Sequence, residues 1–476
     1  MKIERVLLIT PPSGLYRRDD RCQSKVEDQT VAVIFPPIEL GYLAAVVERQ
    51  GIECRLRDYP AEKKTWDDFK EDLKTFQPQV LVLNTTTPTL KKDILAAELT
   101  RELFPHTVVI GRGEYFSVFP DKALQEFPSL DILLRGEPEL PLEDVIKSLQ
   151  QDLPLDGIQG IAFRKEGVPV VTPERPLLQD LDYLPFPSRH LMNNSLYRSP
   201  ENNEPITVVH TQRGCPARCI FCSVVITSGQ KVRKRTPAKI VEELRECVEK
   251  YHIRNFLFHA DTFTWDKAWV IELCRLIIDS GLNIHWGCNS RVDSIDDERL
   301  DWLKKAGCWV IAFGIESGDE EILKKMRKGT TLEQARNAIQ TVKRHGIKTH
   351  AFMVIGLPWE TRETFHKTMK FLREIDPDFF DFNIAYPLPG TELMKIATED
   401  NLLIQGDPSQ GSYADAVLRT FELTPDELMM MRRKALWQLY LRPKYIIRTL
   451  LTAGSPKNVW QYMKAAGKRA KNLLSS

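Results

Sequence analysis

The sequence predicts an α/β protein in three parts: a doubly wound Rossmann-like sheet, a partial barrel of six β/α units, and a helical C-terminal region. Three patterns predict it. Short β-branched runs alternate with helices in the first 150 residues, the alternation resumes after a proline-punctuated stretch with six strand candidates, and the segment beyond about residue 400 is mostly helical. The expected divisions are 1–150, 151–203, 204–400 and 401–476.

Arg5-Val-Leu-Leu-Ile-Thr10 reads as a buried parallel strand closed by Pro11 and Pro12. Pro36 and Pro37 lead into a helix over Leu40–Arg49 that Gly51 stops. Further strands are expected at Glu53–Asp58, Gln79–Asn84, Thr107–Gly111 and Asp131–Arg135, with a helix from about Leu90 to Phe104. A sheet of this kind keeps its ligand beyond the carboxyl ends of its strands. Pro169, Pro173, Pro176, Pro185 and Pro187 mark a small hairpin and linker. The barrel strands begin near Ile206, Asn255, Ile284, Trp309, Thr349 and Asp378. Thr236 caps the first barrel helix with Pro237 at its first position, and Ile240, Val241, Leu244 and Val248 form its apolar stripe. The other helices run over Asp266–Ser280, Asp296–Ala306, Leu332–His345 and Thr361–Ile375. Six units instead of eight leave the barrel open on one side.

Composition narrows the function. Of 476 residues 42% are hydrophobic and 28% charged, which is ordinary globular usage. Lys plus Arg number 66 against 65 Asp plus Glu, so no basic field for nucleic acid exists and no nucleic-acid partner is expected. No run approaches the roughly 18 apolar residues that span a bilayer, and the opening Met-Lys-Ile-Glu-Arg reads as the start of a strand, so a cytoplasmic location is expected. Six of nine cysteines (Cys22, Cys54, Cys247, Cys274, Cys288 and Cys308) are scattered and read as small buried hydrophobes.

Cys215, Cys219 and Cys222 fall within eight positions, in Thr211-Gln-Arg-Gly-Cys-Pro-Ala-Arg-Cys-Ile-Phe-Cys222, on the loop after the first barrel strand. Three thiolates spaced C-x3-C-x2-C can each bind one iron of a cubane and leave the fourth iron open. A structural zinc site wants four ligands, and no CxxC or HxxxH partner accompanies the triplet.

This motif, followed by six β/α units, resembles the radical S-adenosylmethionine (SAM) superfamily. The resemblance implies a 4Fe–4S cluster on Cys215, Cys219 and Cys222, whose open iron chelates SAM and whose reduction cleaves SAM to methionine and a 5′-deoxyadenosyl radical. It also implies SAM-facing roles for Phe221 near the adenine, Asp261 toward the amino end, Arg291 toward the carboxylate, and Glu316 with Ser317 toward the ribose and methionine. Phe352–Glu360 resembles the segment beside the adenine. Each of these is equally readable, taken singly, as packing or as a solvated strand end.

The first domain resembles the cobalamin-binding domain of one radical SAM class, through Pro36–Ala45, Gly111–Ser117 and Leu134–Glu139. The resemblance implies cobalamin contacts at Thr85, Thr86, Gly111, Gly113, Gly136 and Glu137, where backbone amides approach a flat cofactor closely. One departure stands out: many such domains carry Asp-x-His-x-x-Gly, whose His ligates cobalt, whereas this chain reads Asp58-Tyr-Pro-Ala-Glu-Lys63. Cobalamin held without a His ligand and a cofactor-free domain of the same fold are the two readings.

The expected activity is reductive SAM cleavage that starts cobalamin-dependent methylation of an unactivated carbon. Radical cyclisation or rearrangement of a hydrophobic, lipid or porphyrin-like substrate is the alternative, and a non-catalytic iron–sulfur redox sensor is the alternative of another class. The expected partners are an electron donor such as flavodoxin or ferredoxin and a small-molecule substrate. After Glu427 the chain carries eleven basic and no acidic residues, interleaved with Trp437, Tyr440, Tyr445, Trp460 and Tyr462. Two readings stay open: a cap in which Leu436, Leu439, Tyr440 and Ile447 pack on the barrel, or a weak membrane-surface contact.

Overall fold

The computed structural model describes residues 2–18, 23–29, 33–404, 415–443 and 445–447. The first sheet holds β1 (Arg5–Thr10), β2 (Glu53–Asp58), β3 (Val80–Asn84), β4 (Val108–Arg112), β5 (Ile132–Leu134), β6 (Ile161–Lys165) and β7 (Val168–Val171) in the order β2-β1-β3-β4-β5-β6-β7. Strands β1 to β5 are parallel, and β6 and β7 join antiparallel. The hairpin expected within the linker therefore extends the first sheet. Helices cover both faces, and the centres of β1 and β3 are apolar on both sides, whereas β2 alternates. Val6, Leu8, Val80 and Val82 pack under the helices Ile38–Glu48 and Glu139–Gln151, while Leu7, Ile9, Leu81 and Leu83 pack under Trp66–Phe76 and Leu90–Leu103.

The barrel strands are β8 (Ile206–His210), β11 (Asn255–His259), β12 (His285–Ser290), β13 (Cys308–Glu316), β14 (Lys348–Ile355) and β15 (Phe379–Ile384). A two-stranded antiparallel pair, β9 (Gln212–Arg213) with β10 (Arg233–Lys234), lies between the first two. All six barrel strands are parallel in the order β15-β14-β13-β12-β11-β8, so the sheet has two edges and the barrel is open, as expected. Phe256, Phe258, Trp286, Phe313, Met353, Phe380 and Phe382 point outward under the helices. The alternate positions, among them Leu257, His259, Asn289, His350, Phe352 and Asp381, are half-buried and line the lumen. The helices start where their caps dictate: Thr236, Asp266, Asp296, Thr331 and Thr361 each accept from a first-turn amide.

The linker is locked by a buried triad in which Glu243 accepts from Arg189 (2.6 Å) and from Arg235. The helix Pro425–Tyr440 lies along β15 with Leu436 and Leu439 buried, and Tyr440 Oη donates to Phe380 O at 2.8 Å. Ile447 does not pack: it is 57% exposed, although Tyr445, two positions earlier, is buried against Phe380. Arg432 on this helix donates to Phe382 O (2.8 Å) and to Asp28 O (2.7 Å), tying barrel, helix and first domain together. Trp460, Tyr462 and the basic residues from Arg448 onward lie outside the described residues, as does Cys22. No helix among the described residues is long and apolar enough to cross a membrane.

Candidate active site between two domains

The loop carrying the three cysteines leaves β9 and returns at β10, at the carboxyl end of the barrel. Gly214 is obligatory at its start, since its φ is +94° and a β-carbon would collide with Lys231 O. Its N–H donates to Asp261 Oδ2 at 2.8 Å, so Asp261 holds the loop. Ile220 N donates to Met326 O (3.1 Å) and Ile220 O accepts from Leu393 N (2.9 Å), which pins the stretch between Cys219 and Cys222. Phe221 is partly buried against the cluster of Ile220, Leu357 and Leu393.

All three cysteines are half-buried and free of disulfides. Burial raises the Cys215 thiol and pushes Cys222 up to about 12, with Asp261 and the Cys219 thiolate acting in the same sense. Bonding to iron removes these protons. Among the described residues no three His, Cys, Asp or Glu side chains form a single-ion site. A cubane takes one thiolate per iron, so three cysteines on one loop supply ligands for three of its four irons. The other described cysteines, Cys54, Cys247, Cys274, Cys288 and Cys308, are buried as small hydrophobes.

Two cations face the thiols. Burial opposes the Arg291 charge, but Asp293 and the Cys219 and Cys215 thiolates outweigh it and hold the guanidinium more basic. Lys328 is buried, and Glu316 and the Cys219 thiolate keep it charged against that cost. Arg291 is held in place by three bonds that leave two of its five N–H donors for a ligand: Nε and Nη2 donate to Asp293 at 3.0 and 2.8 Å, and Nη1 donates to Lys328 O at 3.1 Å. Glu316 ends β13 in left-handed backbone at φ +70°, a conformation that costs a non-glycine residue about 1–3 kcal/mol and marks functional sites. Ser317 is turned into the fold, where its Oγ accepts from Asp319 N at 3.2 Å. Thr262 Oγ1 and Gln212 Oε1, beside this loop, are buried without a protein partner.

At the facing edge of the first sheet, Thr10 Oγ1, Asn84 Nδ2 and Thr87 Oγ1 are buried without a partner among the described residues. Such atoms call for a polar ligand at these strand ends. Thr10, Asp58, Pro60 and Asn84 line a cleft closed on the barrel side by Leu257 and His259. Pro60 stands where the cobalt-ligating pattern has His. Thr85 Oγ1 donates to Arg112 O at 3.0 Å and sits so close to Gly113 that a β-carbon would collide with it. Thr86 N donates to Asp93 at 3.3 Å. Gly111 makes room for the Phe116 ring, 2.7 Å from where its β-carbon would be. Gly136 has open space around it at φ +67°. Glu137 is held by Arg233 at 2.8 and 2.9 Å, and Glu139 by Arg213; these arginines occupy the two ends of the cysteine loop. Lys328, Glu114, Glu139 and the two arginines were not singled out by sequence. Each is an ordinary charge in a loop, at a strand end or at a helix start until the fold supplies its partner.

The arrangement defines an iron–sulfur barrel enzyme whose reactive edge is roofed by a second, ligand-binding sheet. Family models described as the radical SAM superfamily and the B12 binding domain match residues 209–372 and 25–146. An uncharacterized methyltransferase of Pyrococcus horikoshii is 32% identical over 450 residues, 94% of this chain and 95% of that protein. The anaerobic magnesium-protoporphyrin IX monomethyl ester cyclase of Rubrivivax gelatinosus is 28% identical over 372 residues, 77% of this chain and 67% of that protein. The solved radical SAM methyltransferase TsrM of Kitasatospora setae shares the fold at a TM-score of 0.72, with 17% identity over 99% of this chain and 100% of that one. The chain belongs to the radical SAM superfamily, in the class with a B12-binding domain ahead of the barrel.

Proposed function

We propose that this radical SAM enzyme methylates an unactivated carbon of a small molecule with cobalamin as second cofactor. When bound, cluster and SAM supply a 5′-deoxyadenosyl radical that removes a hydrogen, and the corrinoid supplies the methyl group. Cys215, Cys219 and Cys222 would hold the cluster, Asp261 would fix the loop, and Phe221 would flank the adenine. Arg291, Lys328 and Glu316 would face SAM, the cations favouring its carboxylate; Ser317, turned inward, would act only through the β13 terminus. Of the cobalamin candidates Gly136 is the strongest, with open space around it, since Gly111 and Gly113 already serve packing, Thr85 and Thr86 internal hydrogen bonds, and Glu137 an ion pair.

The observation that carries the reading is the pairing of the cysteine loop with a facing sheet edge whose buried polar atoms have no partner among the described residues. The similarity to a methyltransferase across nearly the whole of both chains favours methylation, and the likeness to the cyclase keeps radical cyclisation as the second reading. A one-electron donor of flavodoxin or ferredoxin type and a cytoplasmic site, with the basic tail at a membrane surface, complete the proposal.

Anaerobic reconstitution with dithionite, SAM and hydroxocobalamin tests it. Methylation requires both 5′-deoxyadenosine and S-adenosylhomocysteine, the latter being what SAM becomes on losing its methyl group. 5′-Deoxyadenosine alone supports cyclisation, and neither product supports the sensor.

A further inference from the structure

We infer that Glu114 is a positioning residue joining the ligand edge of the first sheet to the cysteine loop, so that each senses the state of the other. The inference rests on the cluster reading above. Thr87 N donates to Gln23 Oε1 at 2.9 Å, and Gln23 Nε2 donates to Glu114 Oε2 at 2.7 Å. On the barrel side Ser223 Oγ donates to Glu114 Oε1 at 2.6 Å, and Ser223 directly follows Cys222. Thr87, Gln23, Glu114 and Ser223 are all buried, so these bonds are shielded from water and are stronger for it.

The chemistry asks for a carboxylate. Two donors from opposite sides meet one side chain, and only a carboxylate presents an acceptor oxygen to each; glutamine would turn a donor toward one of them. The loop is not held at this point alone, because Glu137 and Glu139 of the same domain grip Arg233 and Arg213 at its two ends. The first domain thus shares in setting its position with Asp261, Met326 and Leu393 of the barrel. A ligand that shifts the Thr85–Thr87 turn must move Gln23, and through Glu114 the residue next to Cys222. The buried negative charge also opposes adding an electron to a nearby cluster, so its removal makes reduction easier.

The test is an EPR-monitored redox titration of the reconstituted full chain as wild type, Glu114→Gln, Ser223→Ala and the double variant, with and without hydroxocobalamin. The expected result is a more positive midpoint in Glu114→Gln and a shifted midpoint in Ser223→Ala. The substitution at 114 should have a smaller effect in the Ser223→Ala background, the mark of coupling. Hydroxocobalamin should alter the cluster signal of the wild type and leave that of Glu114→Gln unchanged. Identical midpoints and signals in all four proteins overturn the inference. Should Glu114→Gln fail to hold a cluster, Ser223→Ala decides, and a wild-type midpoint there overturns it. A wild type that takes up no corrinoid sinks the cobalamin reading, while the midpoints still judge Glu114.

Discussion

Lys328 Nζ lies 2.7 Å from Glu316 Oε1, and the pair sits over Gly314, where a β-carbon would collide with the carboxylate and come 2.7 Å from the ammonium. The glycine at this lumen position is what lets the ion pair form. Both side chains are less than a tenth exposed. Breaking such a pair strands a buried charge at a cost of about 3–5 kcal/mol. Glu316→Gln should therefore lower unfolding stability by that amount, and adding Lys328→Met should recover most of it. Denaturant titration measures both. Wild-type stability combined with at least tenfold weaker SAM binding would instead assign the pair to the ligand alone.

Each of Cys215→Ala, Cys219→Ala and Cys222→Ala should abolish the brown chromophore and 5′-deoxyadenosine formation together, because a cubane that loses one of three thiolates loses its anchor. Absorbance near 400 nm (roughly where thiolate-to-iron bands fall) and product analysis follow the two losses. SAM cleavage by the triple variant would end the radical mechanism.

Much of this was legible before the fold was known. β1 and β2 span the residues expected of them, the barrel strands begin within a residue of expectation, and Thr236 and Pro237 open their helix as capping chemistry requires. The cysteine spacing singled out the loop between β9 and β10. What stayed hidden were the relationships across domains: Glu139 with Arg213 are 74 positions apart, and Ser223 with Glu114 are 109 apart. Periodicity reports which face of an element is buried and is silent on which charge meets it. Arg291 shows the same limit, since its Asp293 partner two positions on reads from sequence as an ordinary loop acid.

Burial pushes Asp58 up to about 6, although Tyr197 Oη (3.0 Å) and Ala61 N both donate to it. The unfolded value is 3.8, so between about pH 4 and 6 the folded state binds the extra proton. Stability from this group is present below the lower value and lost as pH rises through the upper one, about 3 kcal/mol in all. Glu360, pushed up to about 7 by burial, acts with the same sign. Asp58→Asn should thus be more stable than wild type above pH 6 and should flatten the pH profile. Melting temperatures across this range decide; parallel profiles would reject the buried-acid account.

With Pro60 at the ligand position of the cofactor pattern, no imidazole reaches cobalt from the first domain, whose one histidine, His106, starts a strand away from the ligand edge. Cob(II)alamin bound to this chain should show no nitrogen superhyperfine splitting from a first-domain histidine, and His106→Ala should leave its EPR spectrum unchanged. A splitting lost in that variant would place His106 on cobalt, contrary to this expectation.

The tail divides at the edge of the barrel. Leu436, Leu439 and Tyr440 are committed to the fold, and of the cations on this helix Arg432 bonds Phe382 O and Asp28 O while Lys434 is exposed. Beyond it Leu441, Ile446 and Ile447 are exposed, leading into five further cations and no anions from residue 449 onward. Cations near an anionic surface each contribute about 1 kcal/mol, and aromatic residues such as Trp460 and Tyr462 settle at headgroup depth. The full chain should co-sediment weakly with vesicles containing phosphatidylserine at low salt and be released as ionic strength rises. A chain ending at Arg448 should remain in the supernatant under the same conditions. Equal behaviour of the two across the salt titration would assign the distal segment no role at a membrane and would favour a substrate taken from solution.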